Sequence, residues 1–229
     1  MKEKDSDKKI FAKGICFDKL FIIFIIGCLF GNYYEMILNL VRHYIQDGSI
    51  FWEVRRGVIY GPFSPIYGFG AVIMTYFLAD RNYRWYQILL YGSFLGGACE
   101  YIVGFLQETF VGTISWDYSN YFLDINGRTT IPIMFLWGLF CLVFVRYIYP
   151  PISNLIEKIP YEPGKIILAF FIVFLTIDML ISWTALIRQH LRRNNYPPLT
   201  FIGEFYDKVY TDERLQKAFP NMVIPEVEK

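Results

Sequence analysis

RRGVIYGPFSPIYGFGA, residues 55–71, combines two arginines, two prolines and four glycines, and it leads into a long apolar run. Pro62 and Pro65 lack a backbone N–H and disfavour helix in the residues just before them. Backbone that leaves a helix at membrane depth must have its polar groups satisfied by protein or water. The stretch therefore predicts a broken or re-entrant segment that lines a site. The simpler alternative is the proline-marked start of an ordinary membrane helix.

The composition places this stretch in a membrane protein. The chain has 229 residues, of which 55% are hydrophobic and 20% aromatic, and its formal charge is +1. Several long apolar runs predict an all-α, polytopic integral membrane bundle, with the lipid bilayer as its surroundings. The balanced charge argues against a nucleic-acid partner. We expect about five transmembrane helices, at about residues 17–41, 63–79, 85–106, 131–149 and 164–187.

The spans divide the chain into three parts. The transmembrane domain covers residues 17–187, and it follows a polar N-terminal tail, residues 1–16. A polar C-terminal tail, residues 188–229, follows the domain, and the sequence leaves open whether it is a surface helix or mobile. With five spans, the loops after the first and third spans share one membrane face, which we call the motif face. Lys and Arg are more frequent on the opposite side, which predicts a cytoplasmic N-terminus and an extracytoplasmic motif face.

Three acidic residues, Glu35, Glu100 and Asp178, lie in or near predicted spans. Because a carboxylate costs about 2.5–3.5 kcal/mol at the centre of a spanning helix, it is expected to face the bundle interior or water. Such residues bind a cation or a proton, or act as acid and base. The alternative is a packing role, in which they reach the interface or pair with Arg55, Arg56 or Arg128. The adjacent tyrosines Tyr34 and Tyr101 are candidate hydrogen-bond donors.

Arginines and aromatic residues dominate the loops of the motif face. Arg56 and Arg128 have the guanidinium geometry that holds phosphate or carboxylate through two hydrogen bonds. The alternative is that they only contact lipid headgroups, just as Trp116 and Tyr118 fit an ordinary aromatic belt. We expect no metal and no cofactor, since the two histidines are far apart and the four cysteines lie in or beside apolar runs without CxxC spacing.

Five motifs occur in order along the chain: GNYYE, RRGVIYGPFSPIYGFGA, EY, WDYS, and NGR followed by LWG. In combination, from about residue 27 to residue 150, they resemble the bacterial putative ABC-transporter type IV family. The family motifs correspond to Glu35, Arg56, Gly57, Gly61, Pro62, Pro65, Ile66, Tyr67, Gly68, Glu100, Trp116, Asp117, Tyr118, Asn126, Gly127 and Arg128. Phe135 stands near the position where the family tends to have a serine.

The resemblance implies a permease-like component of a transport system in the bacterial cell membrane. No GxxxxGK[ST] phosphate-binding loop occurs in the sequence, so ATP hydrolysis would require a separate subunit, and a homo-oligomer is an alternative partner. No catalytic residue is assigned. The predicted pathway or substrate-binding residues are Glu35, Arg56, Tyr60, Pro62, Pro65, Tyr67, Glu100, Trp116, Asp117, Tyr118, Asn126 and Arg128.

Two other functions remain open at this point. The first is a membrane-embedded enzyme that acts on a lipid-linked or cell-envelope substrate. In that hypothesis Glu35 or Glu100 is the general base, and Arg56 or Arg128 holds a phosphate. The second is a small structural or regulatory membrane protein without chemistry.

Overall fold

A computed structural model describes residues 10–223, which form a helical bundle. The ends of the two predicted tails, residues 1–9 and 224–229, lie outside the described residues. The described helices, in chain order, are α1 (Phe17–Asp47), α2 (Pro65–Leu78), α3 (Trp85–Leu106), α4 (Ile131–Val143), α5 (Tyr149–Glu157), α6 (Tyr161–Arg193), α7 (Phe201–Val209) and α8 (Asp212–Ala218).

Two π-helical turns extend the spanning helices. Gln107–Val111 prolongs α3, and Phe144–Ile148 joins α4 to α5. The fourth predicted span, residues 131–149, continues past Pro150 and Pro151 to Glu157, because proline is tolerated in the first turn of a helix such as α5. Within residues 10–223, four segments are long and apolar enough to cross a membrane, namely Phe17–Asp47, Trp85–Val111, Ile131–Glu157 and Tyr161–Arg193. The predicted all-α membrane bundle is confirmed.

Helix α2 is shorter than the others. Its 14 residues extend about 21 Å, which is less than the hydrocarbon thickness of about 30 Å. It packs antiparallel to the first half of α1, with Gly68 against Phe24 and Cys28. Residues 48–64 before it contain neither helix nor strand, and the Ser64 amide donates to the Cys28 carbonyl at 3.0 Å. The chain therefore returns as a non-helical segment to the middle of α1 before α2 begins, and we call residues 48–64 the broken segment.

Helices α1 and α6 start on the same side of the bundle. Lys165 at the start of α6 donates to Asp18 at 2.5 Å, and Phe11 lies against Gly164. The buried Lys19 reaches across to Glu157 at the end of α5. Both α1 and α6 consequently end at the motif face, together with the loop over residues 112–130. This arrangement brings the polar loops and the helix ends together.

A small hairpin closes that loop. Strands β1 (Asp124–Ile125) and β2 (Thr129–Thr130) pair antiparallel around Asn126 and Gly127. Both turn residues have positive φ, +52° and +68°, which is the conformation that an Asn-Gly turn favours. The hairpin delivers Thr129 directly to the N-terminus of α4.

Candidate functional site

The first polar cluster contains two carboxylates from two spanning helices. Glu100 of α3 accepts hydrogen bonds from the Tyr118 hydroxyl at 3.1 Å, the Thr129 hydroxyl at 2.7 Å, and Trp137. Glu35 of α1 is hydrogen-bonded to Tyr67 of α2. We call Glu35, Tyr67, Glu100 and Tyr118 the carboxylate cluster.

The tyrosines that bond to the acids are distant in sequence. Tyr67 and Tyr118 form the hydrogen bonds to Glu35 and Glu100 for which the sequence suggests Tyr34 and Tyr101 as donors. Tyr34 instead stacks on Phe30, with ring centroids 5.8 Å apart. Tyr101 receives a hydrogen bond from Asn126 at 2.9 Å. Two residues that are adjacent in a helical sequence project about 100° apart. Tyr34 and Tyr101 therefore do not point towards the glutamates that stand next to them.

A glycine one turn before Glu35 makes room for Tyr67. A Cβ atom on Gly31 would overlap the Cβ, Cγ and Cδ2 atoms of Tyr67. Because glycine has no side chain, helices α1 and α2 approach each other closely at Gly31, as membrane helices do at small residues. This close approach brings the Tyr67 hydroxyl to Glu35.

The loop around WDYS and NGR is internally braced. The Tyr118 amide donates to the Gly127 carbonyl at 2.7 Å, and the Trp116 indole donates to the Arg128 carbonyl at 2.9 Å. The exposed Asp117 accepts from the amide and hydroxyl of Ser119, and these bonds hold the pKa of Asp117 below its usual range. Trp116 and Asp117 thus shape the loop that presents Tyr118 to Glu100.

The arginines have acidic partners of their own. The Arg128 Nε lies 3.1 and 3.0 Å from the two carboxylate oxygens of Glu108, and this pairing raises the pKa of Arg128. Arg55 donates to Glu53 at 2.5 Å. The salt bridges of these two arginines within the described residues are therefore made to Glu53 and Glu108, whereas the hydrogen-bond donors to Glu35 and Glu100 are neutral side chains.

The broken segment is tied to α6 by a second polar group. The Ile59 amide donates to the Ser182 hydroxyl at 2.8 Å, and the Tyr60 amide donates to Asp178 at 3.2 Å. The Ser182 hydroxyl in turn lies 3.2 Å from Asp178, which is only 2% exposed. We call Asp178 and Ser182 the amide latch, because these side chains of a spanning helix satisfy backbone amides of the non-helical broken segment.

The C-terminal helices lie over the broken segment. The Tyr60 and Tyr210 hydroxyls are 3.2 Å apart, and Arg56 donates to the Ala218 carbonyl at 3.3 Å. Ile59 packs in one apolar cluster with Leu215 and other residues of this region. We call residues 201–223 the C-terminal cap. It also pairs with the loop of the motif face through two Ile114–Val223 backbone hydrogen bonds of 2.9 Å.

An ion-pair network fastens the cap to the end of α6. Arg188 binds both carboxylate oxygens of Asp207, at 2.9 and 2.7 Å, and Arg192 binds Asp207 at 2.7 Å and also Asp212. The Arg188 guanidinium holds the pKa of Asp207 below its ordinary value, with Arg192 adding to the effect. Four residues of the predicted polar tail, Arg188, Arg192, Asp207 and Asp212, therefore form one attachment.

Acid is expected to loosen this attachment. The folded-state pKa of Asp207 lies below the unfolded value of about 3.9, so its stabilisation is complete above that pH and disappears as pH falls through the folded pKa. The thermal midpoint in detergent, measured from about pH 7 to about pH 3, should fall steeply at the acid end. Asp207→Asn should start lower at neutral pH and lose part of this slope. An unchanged slope in Asp207→Asn would assign the acid transition to other groups.

The structure thus distributes the predicted site residues among three places. Glu35, Tyr67, Glu100 and Tyr118 come together in the carboxylate cluster, and Trp116, Asp117, Asn126 and Arg128 frame its loop. Arg56 and Tyr60 instead face the C-terminal cap. Pro62 lies in the turn after Gly61, whose φ is +78°, and Pro65 is the first residue of α2.

Sequence reasoning left several interacting residues out of the candidate set. Glu108, Thr129 and Trp137 bind the predicted residues, and Ser182 completes the amide latch with Asp178. Thr129 follows NGR directly, and Ser182 lies one helical turn after Asp178, so both had a local signal. Glu108 and Trp137 had none, because their partners are about 20 to 40 residues away in the chain.

This fold and its intramembrane polar groups define a polytopic helical membrane protein with a broken segment. The chain belongs to the putative ABC-transporter type IV family, whose profile matches residues 22–183. It is accordingly a membrane protein related to transport. The match extends beyond the motifs to include the amide latch and ends before the C-terminal cap. No curated protein and no solved structure matches the chain.

Proposed function

We propose that the chain is the membrane-embedded, permease-like subunit of a transport system, and that a separate subunit hydrolyses ATP. The carboxylate cluster is its polar substrate or ion site at the motif face. The observation that supports this proposal is the broken segment, which returns to the middle of the spanning helix α1 and has its backbone amides held by Asp178 and Ser182 of the spanning helix α6. Interrupted helices with polar groups at membrane depth are how many transporters build their binding sites.

The charges of the site favour a cation or a proton over an anion. Arg128 and Arg55 are each held by an acid, Glu108 and Glu53. Glu100 accepts hydrogen bonds from the neutral Tyr118 and Thr129 hydroxyls, so its negative charge has no cationic hydrogen-bond partner within the described residues. An anion clamped by these arginines would have to displace their present partners.

Purification in mild detergent from native membranes tests the transport proposal. A stoichiometric subunit with a phosphate-binding loop should co-purify, and the complex should hydrolyse ATP above the level of a mock purification. ATP hydrolysis coupled to substrate is expected to be lost in Glu100→Gln, which keeps an acceptor oxygen but cannot carry a charge. A chain that is isolated only with itself, without ATPase activity, would contradict the proposal.

A positioned carboxylate–phenol pair, Glu100 and Tyr118, favours a second candidate function. It is an enzyme that acts on a lipid-linked or cell-envelope substrate, with Glu100 as general base. The purified chain would then convert components of the lipid extract of its own membranes, as detected by mass spectrometry, without any partner. Conversion by the wild type and by Glu100→Gln alike would exclude this role for Glu100.

A further inference from the structure

Helix α7 has one face that contacts the rest of the protein. Asp207 binds Arg188 of α6, and the Tyr206 hydroxyl lies 2.7 Å from the hydroxyl of Thr184. Tyr210, one turn later, contacts the broken segment through Tyr60. These contacts place α7 alongside the last third of α6.

The other face of α7 is apolar and uncovered within the described residues. Phe201, Ile202 and Phe205 are 82%, 65% and 48% exposed, and Leu199 just before the helix is 91% exposed. At 100° per residue, Phe201, Ile202 and Phe205 span a single sector of about 100°. Glu204 lies outside this sector, and Lys208 lies at its edge, where a lysine stem can extend towards water. The helix is therefore amphipathic in the manner of interfacial membrane helices.

The position of α7 along α6 identifies what covers this face. α6 has 33 residues and a length of about 50 Å, so it extends beyond a hydrocarbon layer of about 30 Å. Its last turns carry Arg188 and Arg192, whereas the preceding turn exposes Trp183 and Ile187. That change from apolar to cationic marks the membrane boundary on α6. The Thr184–Tyr206 contact places α7 at this boundary, where its apolar face continues the lipid-facing surface of α6.

We propose that α7 lies in the membrane interface, with Leu199, Phe201, Ile202 and Phe205 among the lipid acyl chains near the headgroups. The occupant of this face is the bilayer of the same membrane. The C-terminal cap is thereby held against the lipid surface while Tyr210 and Ala218 contact the broken segment. The cap thereby fixes the position of the broken segment relative to the membrane surface. This role does not depend on which substrate the site binds.

Nitroxide labels on two adjacent residues of α7 test this proposal in liposomes. Phe205→Cys reports the apolar face and Glu204→Cys is the matched control, both in a full-length chain whose four cysteines are replaced by alanine. The ratio of oxygen to nickel-chelate accessibility should be several-fold higher at 205 than at 204. Equal and high nickel accessibility at both positions would overturn the proposal in favour of a water-facing cap. Protection of 205 from both reagents would overturn it in favour of a protein partner or a second copy.

A second pair of variants keeps the question decidable if the cysteine replacements impair folding. Phe205→Trp and Glu204→Trp retain the native cysteines, and brominated phospholipids quench tryptophan that contacts acyl chains. After subtraction of the wild-type signal, quenching should be strong for Phe205→Trp and weak for Glu204→Trp. Equal quenching of the two variants would contradict a lipid-facing α7.

Discussion

Replacing Gly31 with alanine is expected to destabilise the bundle and to move Tyr67 away from Glu35. The new methyl group would overlap the Tyr67 side chain where α1 and α2 are closest. Overpacking of a tight interface costs about 1–3 kcal/mol, and a shift of the ring would also break the hydrogen bond to Glu35. Thermal denaturation of the purified protein in detergent, followed by size-exclusion chromatography, would measure the loss of stability.

Gly70→Ala in α2 is the matched control for this prediction. Its new Cβ would meet only the Met74 Cε atom at 4.0 Å, and alanine is favoured over glycine in a helix by about 1 kcal/mol. The control should therefore be at least as stable as the wild type. Tyr67→Ala should remove most of the penalty of Gly31→Ala, because the two substitutions act on one contact. Full additivity of the two would show that Gly31 serves another purpose.

Replacing Asp178 with alanine is expected to release the broken segment from α6. The substitution leaves the Tyr60 amide without its acceptor in a partly buried site, and an unsatisfied group costs about 1–3 kcal/mol when it is fully buried. Asp178→Asn retains a carbonyl oxygen at the same place and should cost less. Faster hydrogen exchange over residues 55–64 in Asp178→Ala, measured by mass spectrometry, would report the release directly.

Ser182→Ala tests the other half of the amide latch. It removes the acceptor of the Ile59 amide, and hydrogen exchange over residues 55–64 should therefore be faster than in the wild type. Because Ser182 also contacts Asp178, the double variant should lose less stability than the sum of the single losses. If the amides of residues 55–64 remained protected from exchange in Asp178→Ala, in Ser182→Ala and in the double variant, the latch would be contradicted.

Much of the bundle was predictable because its signals are local. Apolar runs and prolines act over a few residues, so the apolar helices could be predicted directly from the sequence. The 14 residues of α2 lie within the predicted span of residues 63–79. Where the non-helical residues before α2 lie depends on hydrogen-bonding partners that α1 and α6 supply.

The candidate site was predictable only as a set of residue types on one membrane face. Parity brought Glu35, Glu100 and Tyr118 to that face, but the pairing of each acid depended on three-dimensional geometry. Arg128 pairs with Glu108, which lies one turn after Gly104 in the π-helical extension of α3. The Arg128 guanidinium lies over the rings of Tyr101 and Phe105, and the Glu108 carboxylate is within its reach there. Sequence distance carries no information about such a choice.

The sequence by itself determined that this chain is a helical membrane protein and that GPFSPIYG interrupts its helices. Those properties follow from hydrophobic length and from the backbone limits of proline, which need no partner. Only the tertiary structure decided that Tyr67 meets Glu35, that Asp178 holds the broken segment, and that the polar tail folds back as a cap. These features depend on contacts between residues that are distant in sequence. Such contacts form, and stabilise the fold, only when the helices pack together.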